Sequence, residues 1–155
     1  MIKKALFLSI ATLGMFSCSN DDDTVTTNEP SIAGKWQAAK YMAYSGKDGS
    51  TIPGSSSDAN PCDKKGSLDI SSTGKWHEII YSENTEGQCT LDSDNISDYT
   101  YDSVSKKVQV KYLNGTTRVY PVKKLTDTEL EFAEDSYDIN SDGINDVYTL
   151  VLKRL

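Results

Sequence analysis

"KVQVKYLNGTTRVYPVKKL", residues 107–125, decides the fold class. Val108, Val110 and Tyr112 alternate with Lys107, Gln109 and Lys111, the period of two that marks a strand with one buried face. Asn114-Gly115 follows, a pair suited to the positive backbone angles of a tight hairpin, and residues 116–125 return as its partner strand. Pro121 has no N–H to give a ladder, so it predicts an edge or a bulge in that strand. Working outward, "GSLDIS" (66–71) places Leu68 and Ile70 on one face and turns through "STGK" into "WHEIIYS" (76–82). Strands over Gly34–Tyr44, "SDYTY" (97–101), "ELEFA" (129–133) and "VYTLVLKRL" (147–155) bring the count to eight, with almost no helical period. An all-β, antiparallel up-and-down meander of that count can close into a barrel and remove its edges. The same pattern also allows a flattened two-sheet sandwich.

"IAGKW" (32–36) resembles the Gly-x-Trp opening of lipocalin-type barrels, and "CDKKGSLDISSTGKWHE" (62–78) resembles the second and third strands of lipocalin-like domains in bacterial surface lipoproteins. The resemblance implies an eight-stranded antiparallel β-barrel over residues 31–155. It also implies that Gly34 and Trp36 close one end beneath a late basic side chain, Arg154 or Lys153. Lipocalins hold small apolar molecules, so the resemblance implies a small apolar or amphiphilic ligand. An eight-stranded barrel is just wide enough to be filled by side chains or to hold one small ligand. Tyr99, Tyr101, Tyr112, Tyr120, Phe132 and Tyr148 are bulky enough to fill much of it. The alternative is therefore a filled structural or adhesive module that meets protein or glycan through its loops. The long polar segment from Gly46 to Gly66 would overhang one mouth; such loops are lids or disordered, and the cysteine near its end, Cys62, favours a loop partly tied down by a disulfide.

Lys3 and Lys4 precede an apolar run from Ala5 to Phe16, which ends at Ser17 and Cys18. That is the layout of a secretory signal, and the run is too short for a membrane span, which needs roughly 20 apolar residues. Ser17-Cys18 resembles a bacterial lipobox, and "CSNDDD" resembles the acidic tag of surface-displayed lipoproteins in one Gram-negative phylum. Residues 1–17 are accordingly read as a signal peptide, Cys18 as the lipid attachment site and 18–30 as an acidic flexible tether. The protein is expected on the outer membrane, facing outward, as a monomer. The plainer reading of the aspartates is a solvated linker. Removal of Lys3 and Lys4 leaves 14 basic against 23 acidic residues, a net charge of −9. Such a surface repels nucleic acid and anionic head groups.

With Cys18 reserved for lipid, Cys62 and Cys89 are an isolated pair in an exported protein, where disulfides persist; a bond between them is expected. "DINSDGIND" (138–146) places oxygen side chains at Asp138, Asn140 and Asp142 before Gly143, with Asp146 beyond. That is the first half of a calcium loop, although Thr149 stands where an EF-hand has its bidentate glutamate. The same residues also make ordinary turns. No nucleophile motif, phosphate loop or histidine cluster is present, and the single His77 has no evident orienting partner, so a non-catalytic protein is expected.

Overall fold

A computed structural model describes residues 29–155. Nine strands and one short helix follow in chain order: β1 (Gly34–Tyr44), β2 (Ser57–Asp58), α1 (Pro61–Lys65), β3 (Ser67–Ile70), β4 (Lys75–Glu83), β5 (Cys89–Asp102), β6 (Lys107–Lys111), β7 (Thr117–Leu125), β8 (Glu129–Tyr137) and β9 (Asp146–Arg154). Each strand from β3 to β9 pairs antiparallel with the next, and β9 pairs back onto β1, closing an eight-stranded barrel. The sandwich alternative is thereby excluded. The ninth strand, β2, is a two-residue addition to β1 at Lys40 and Tyr41.

The turns form where their chemistry demands. Gly74, Gly115 and Gly87 all sit at positive φ. At the Asn114-Gly115 turn Tyr112 N–H donates to Thr116 O (2.9 Å), and the Asn114 side chain accepts from Thr116 N–H (3.0 Å). Inside the barrel, Ile32, Trp36, Leu68, Ile70, Trp76, Val108, Val110, Tyr120, Val122, Leu130, Phe132 and Leu152 form one continuous core. Its centre is aromatic: Trp76 lies parallel to Tyr120 at 6.0 Å and tilted to Phe132 at 6.0 Å. Each such pair adds about 0.5–1.5 kcal/mol beyond the area it buries.

One sequence expectation needs correction and another is made specific. The strand expected at 97–101 runs from Cys89 to Asp102, because β4 and β5 form a long hairpin paired as far as Glu83 and Cys89. The 46–66 segment is an ordered strap, tied down through Cys62 as the sequence suggested. Its helix α1 starts on a capping box in which Asn60 Oδ1 accepts from Cys62 N–H (2.8 Å) and Asp63 N–H (2.9 Å), while Asp63 accepts from Asn60 N–H (3.2 Å).

The ladder thins at two places. β1 pairs with β3 only from Gly34 to Trp36, and α1 occupies the gap beyond, with Gln37 donating to Lys64 O and Tyr41 to Asp63 Oδ2 (3.1 Å). β7 pairs with β8 only from Val122 onward. Val122 N–H is turned toward β6, donating to Lys106 O (2.7 Å), so the missing donor of Pro121 falls on the side facing β8.

Candidate functional site

One end of the barrel is shut. Trp36 is fully buried and donates Nε1–H to Ile32 O (2.9 Å). The Arg154 guanidinium lies 4.0 Å over its ring and donates to the carbonyls of Asp127 (2.6 Å), Ala33 (2.8 Å) and Ser31 (2.6 Å). A β-carbon on Gly34 would stand 1.9 Å from Arg154 Nη1, and its φ of 150° lies in glycine's territory. Gly34, Trp36 and Arg154 therefore meet as one plug. Lys153, the other candidate for that position, instead pairs with Glu129 on the outer face. Hydrogen bonds from Lys124 and then Lys153 lower the Glu129 carboxyl to about 2.

The other half of the barrel is not filled. A cavity of about 140 Å³ has an apolar floor of Leu68, Phe132, Leu150 and Leu152, with Ala38, Tyr41, Ile80 and Tyr81 in its walls. Three carboxylates face it: Asp63 from α1, Glu78 from β4 and Glu134 from β8. Asp63 accepts from Tyr41, but among the described residues Glu78 and Glu134 make no hydrogen bond or ion pair. Burial raises both carboxyls above the ordinary glutamate value, and the charge of Glu78 raises Glu134 further. Arg118 opposes the rise at both. Burial also raises the Tyr41 hydroxyl, with Asp63 adding to it. Tyr120 packs edge-on against Phe132, and its hydroxyl is 2.6 Å from that of Tyr112.

Position in the strand explains these carboxylates. Glu78 is two residues beyond inward-facing Trp76, so alternation turns it inward. Glu134 is the extra residue of a bulge, since Ala133 pairs with Thr149 and Asp135 with Tyr148; bulges re-aim side chains beside functional sites. Glu134 also borders an outer depression of about 520 Å³ between the separated parts of β7 and β8, flanked by Val119, Pro121 and Ala133. It can thus be reached from both sides of the barrel wall. Strand alternation puts Glu78 on the face opposite His77, but no motif in the sequence singles out Glu78, Glu134, Asp63 or Arg118. The usable signal was a charged residue at the parity of the buried set: Glu78 two after Trp76, Glu134 two after Phe132, Arg118 two before Tyr120.

The remaining sequence candidates are placed as follows. Cys62 and Cys89 are joined, with their Cα atoms 5.2 Å apart, tying α1 to the start of β5. Asp146 is buried, and its carboxylate accepts from the backbone N–H groups of Gly46 (3.0 Å), Ile139 (2.8 Å) and Asn140 (3.2 Å). Burial alone would raise its pKa, but those three donors outweigh it and hold it below the usual range. Asp138 accepts from Asp142 and Gly143 N–H, Asn140 from Asp142 N–H, and Asp142 from Ile144 N–H. Among the described residues no three His, Cys, Asp or Glu side chains are gathered as a metal site. His77 faces outward and shares a 2.7 Å hydrogen bond with Asp94. Cys18, the signal segment and the tether up to residue 28 lie outside the described residues.

No curated protein matches the chain. The family model of the lipocalin-like domain matches residues 32–132, from the residue that accepts the Trp36 hydrogen bond to the floor of the cavity. Together with the closed eight-stranded barrel and the half-open interior, this match shows that the chain belongs to the lipocalin-like domain family, whose barrel is typically a binding, non-catalytic fold.

Proposed function

We propose that the protein is a surface-tethered, non-catalytic binder of a small amphiphilic molecule, held in the barrel's open half. The observation that carries the reading is the cavity itself, with an apolar floor of Leu68, Phe132, Leu150 and Leu152 beneath polar walls. Its volume of about 140 Å³ decides the size of the guest. A dry cavity of roughly 150 Å³ takes one benzene-sized molecule, and drug-sized ligands need about 300 Å³ or more. The ligand is therefore small, or it inserts only one end. A filled adhesive module accounts less well for carboxylates left facing an empty space.

Attachment through acyl chains at Cys18 is proposed on the Ser17-Cys18 junction and the aspartates that follow. Several acyl chains hold far more strongly than one, at about 0.8 kcal/mol per buried CH₂. For the Asp138–Asp146 turn we propose calcium as an occupant, on the alternation of oxygen side chains before Gly143. An ion there would share Asp138 and Asp142 with the N–H groups they already accept from. One experiment addresses all three parts: native mass spectrometry of the chain purified from its host's membranes, with and without a chelator. The expected mass is that of residues 18–155 less two hydrogens, plus acyl chains, one small organic molecule and one chelator-sensitive calcium. A chain carrying no organic guest, with every added small molecule also failing to bind, would sink the binding reading.

A further inference from the structure

We propose that the cavity takes a small organic cation, a protonated amine on an aromatic or otherwise apolar body, with the ammonium held between Glu78 and Glu134. This rests on the reading of the cavity as a binding site. That site stands on the barrel's unfilled half and on the family; the glutamates determine only what chemistry it accepts.

Three observations lead there. The first is the sign of the walls. Asp63, Glu78 and Glu134 face the cavity, and among the described residues Arg118 is the basic group whose field reaches both glutamates. Arg118 makes no ion pair with either among the described residues, so the ionised walls have an excess of negative charge. The second is the floor. Leu68, Phe132 and Leu150 would receive an apolar body, and Tyr41 and Tyr81 offer ring faces of the kind that attract ammonium groups. The Tyr81 face already attracts one cation, Lys65, whose Nζ lies 4.2 Å from the ring centroid. The third is supply. Glutamates without partners in a half-buried site are costly to ionise, and a guest ammonium would give them the charge-assisted hydrogen bonds they lack. Glu134 lies where β7 and β8 are unpaired and borders the outer depression as well, which Asp135 and Lys123 also line with opposite charges, so a guest can approach it without first crossing the apolar floor.

The titratable groups that line the cavity are Tyr41 from β1, Asp63 from α1, Glu78 and Tyr81 from β4 and Glu134 from β8; Tyr112 just past β6, Tyr120 from β7 and Tyr148 from β9 lie within the field of those carboxylates, with Arg118 fixed in charge. Of these, Glu78 and Glu134 have carboxyls raised above the ordinary glutamate value by burial. Cation affinity should therefore fall as pH drops toward the ordinary glutamate range.

Three probes of one size and three charges test this: benzylammonium, benzyl alcohol and benzoate, titrated into the full chain by calorimetry with amide chemical shifts as the map. The expected order is benzylammonium about tenfold tighter than benzyl alcohol, and benzoate weakest. Glu78→Gln and Glu134→Gln should each remove most of the benzylammonium preference and leave benzyl alcohol within about twofold. Near-UV circular dichroism checks that the variants fold; if one does not, the order of the probes on the unaltered chain still decides. Benzoate binding as well as benzylammonium, or a preference unchanged in both folded variants, overturns the cation inference while benzyl alcohol binding keeps the cavity reading. No shift at cavity residues with any probe overturns both.

Discussion

The two ends of the barrel are made from the same strands and the same alternation, yet they hold opposite kinds of interior. At the shut end, the plug's polar groups are met: Arg154 spends its guanidinium on three carbonyls and the Trp36 face, and Trp36 gives its N–H to Ile32, although the neighbouring Trp76 Nε1–H is buried without a partner among the described residues. At the open end, Glu78 and Glu134 face a cavity without partners among the described residues. The difference follows the ladder. At the shut end β1 is paired on both sides, with β3 from Gly34 to Trp36 and with β9 from Trp36 onward, and the core closes there. Where β1 leaves β3 and β7 leaves β8, the wall spreads and a cavity remains. One end of the fold is built for stability, and the other gives up stability for an accessible interior.

The largest effect should come from attacking the shut end. Trp36→Ala removes the fully buried ring from between Arg154 and the core, and should lower unfolding free energy by about 3–5 kcal/mol, measured by urea titration. A loss under about 1 kcal/mol would mean that the plug does not anchor the barrel, and the contrast between the ends would break.

Next is the strap over the open end. Replacing both Cys62 and Cys89 by serine releases a loop with a sequence separation of 27 residues, and should cost on the order of 3 kcal/mol by chain entropy. Amide exchange should quicken in α1 and residues 45–66 and stay slow around Trp36. Equal quickening at both ends would show that they are not separate in energy.

The smallest effect has the opposite sign. Glu78 and Glu134 have raised carboxyl pKa values in the folded chain, so the native state binds more protons than the unfolded one between the ordinary glutamate value and those raised values. Stability contributed by these groups is present at low pH and falls as pH rises through that window. The double variant Glu78→Gln, Glu134→Gln should therefore raise Tm at neutral pH by about 1–4 °C and flatten its dependence on pH above the ordinary glutamate value. Glu129 supplies the contrast. Its carboxyl is lowered to about 2 by Lys124 and Lys153, so its stabilisation is present above the ordinary value and is lost as pH falls toward about 2. That acid limb should survive in the double variant. A Tm at neutral pH below the parent's would show that the two carboxylates stabilise the open end instead of straining it.

Much of the barrel could be read from residues whose environment is set by their neighbours in sequence. Val108, Val110 and Tyr112 alternate because one face of β6 is buried, and Asn114-Gly115 turns because those two residues accept the required angles. Other features carried no such local mark. The first half of β5, Cys89 to Ile96, has almost no buried side chain, so no alternation betrays it as strand. Helix α1 is five residues long, too short to show a helical period. The cavity carboxylates were hidden for a different reason: Glu78 and Glu134 share the parity of the buried set, but which inward position opens onto a cavity depends on where the ladders of β1 with β3 and β7 with β8 lapse, and that is decided by the partner strands.

The chain's order of residues was enough to determine an antiparallel meander, its hairpins, its one pair of cysteines available for bonding and the opening glycine and tryptophan, because each depends on backbone preferences or on counting. Whether the meander closes, where its ladder lapses, and which carboxylates are left facing the space so created were decided only in three dimensions. A barrel and a sandwich bury the same alternate residues, and only the pairing of β9 with β1 distinguishes them. An unpaired charge is a property of everything around it, and those surroundings are assembled from strands far apart in the chain.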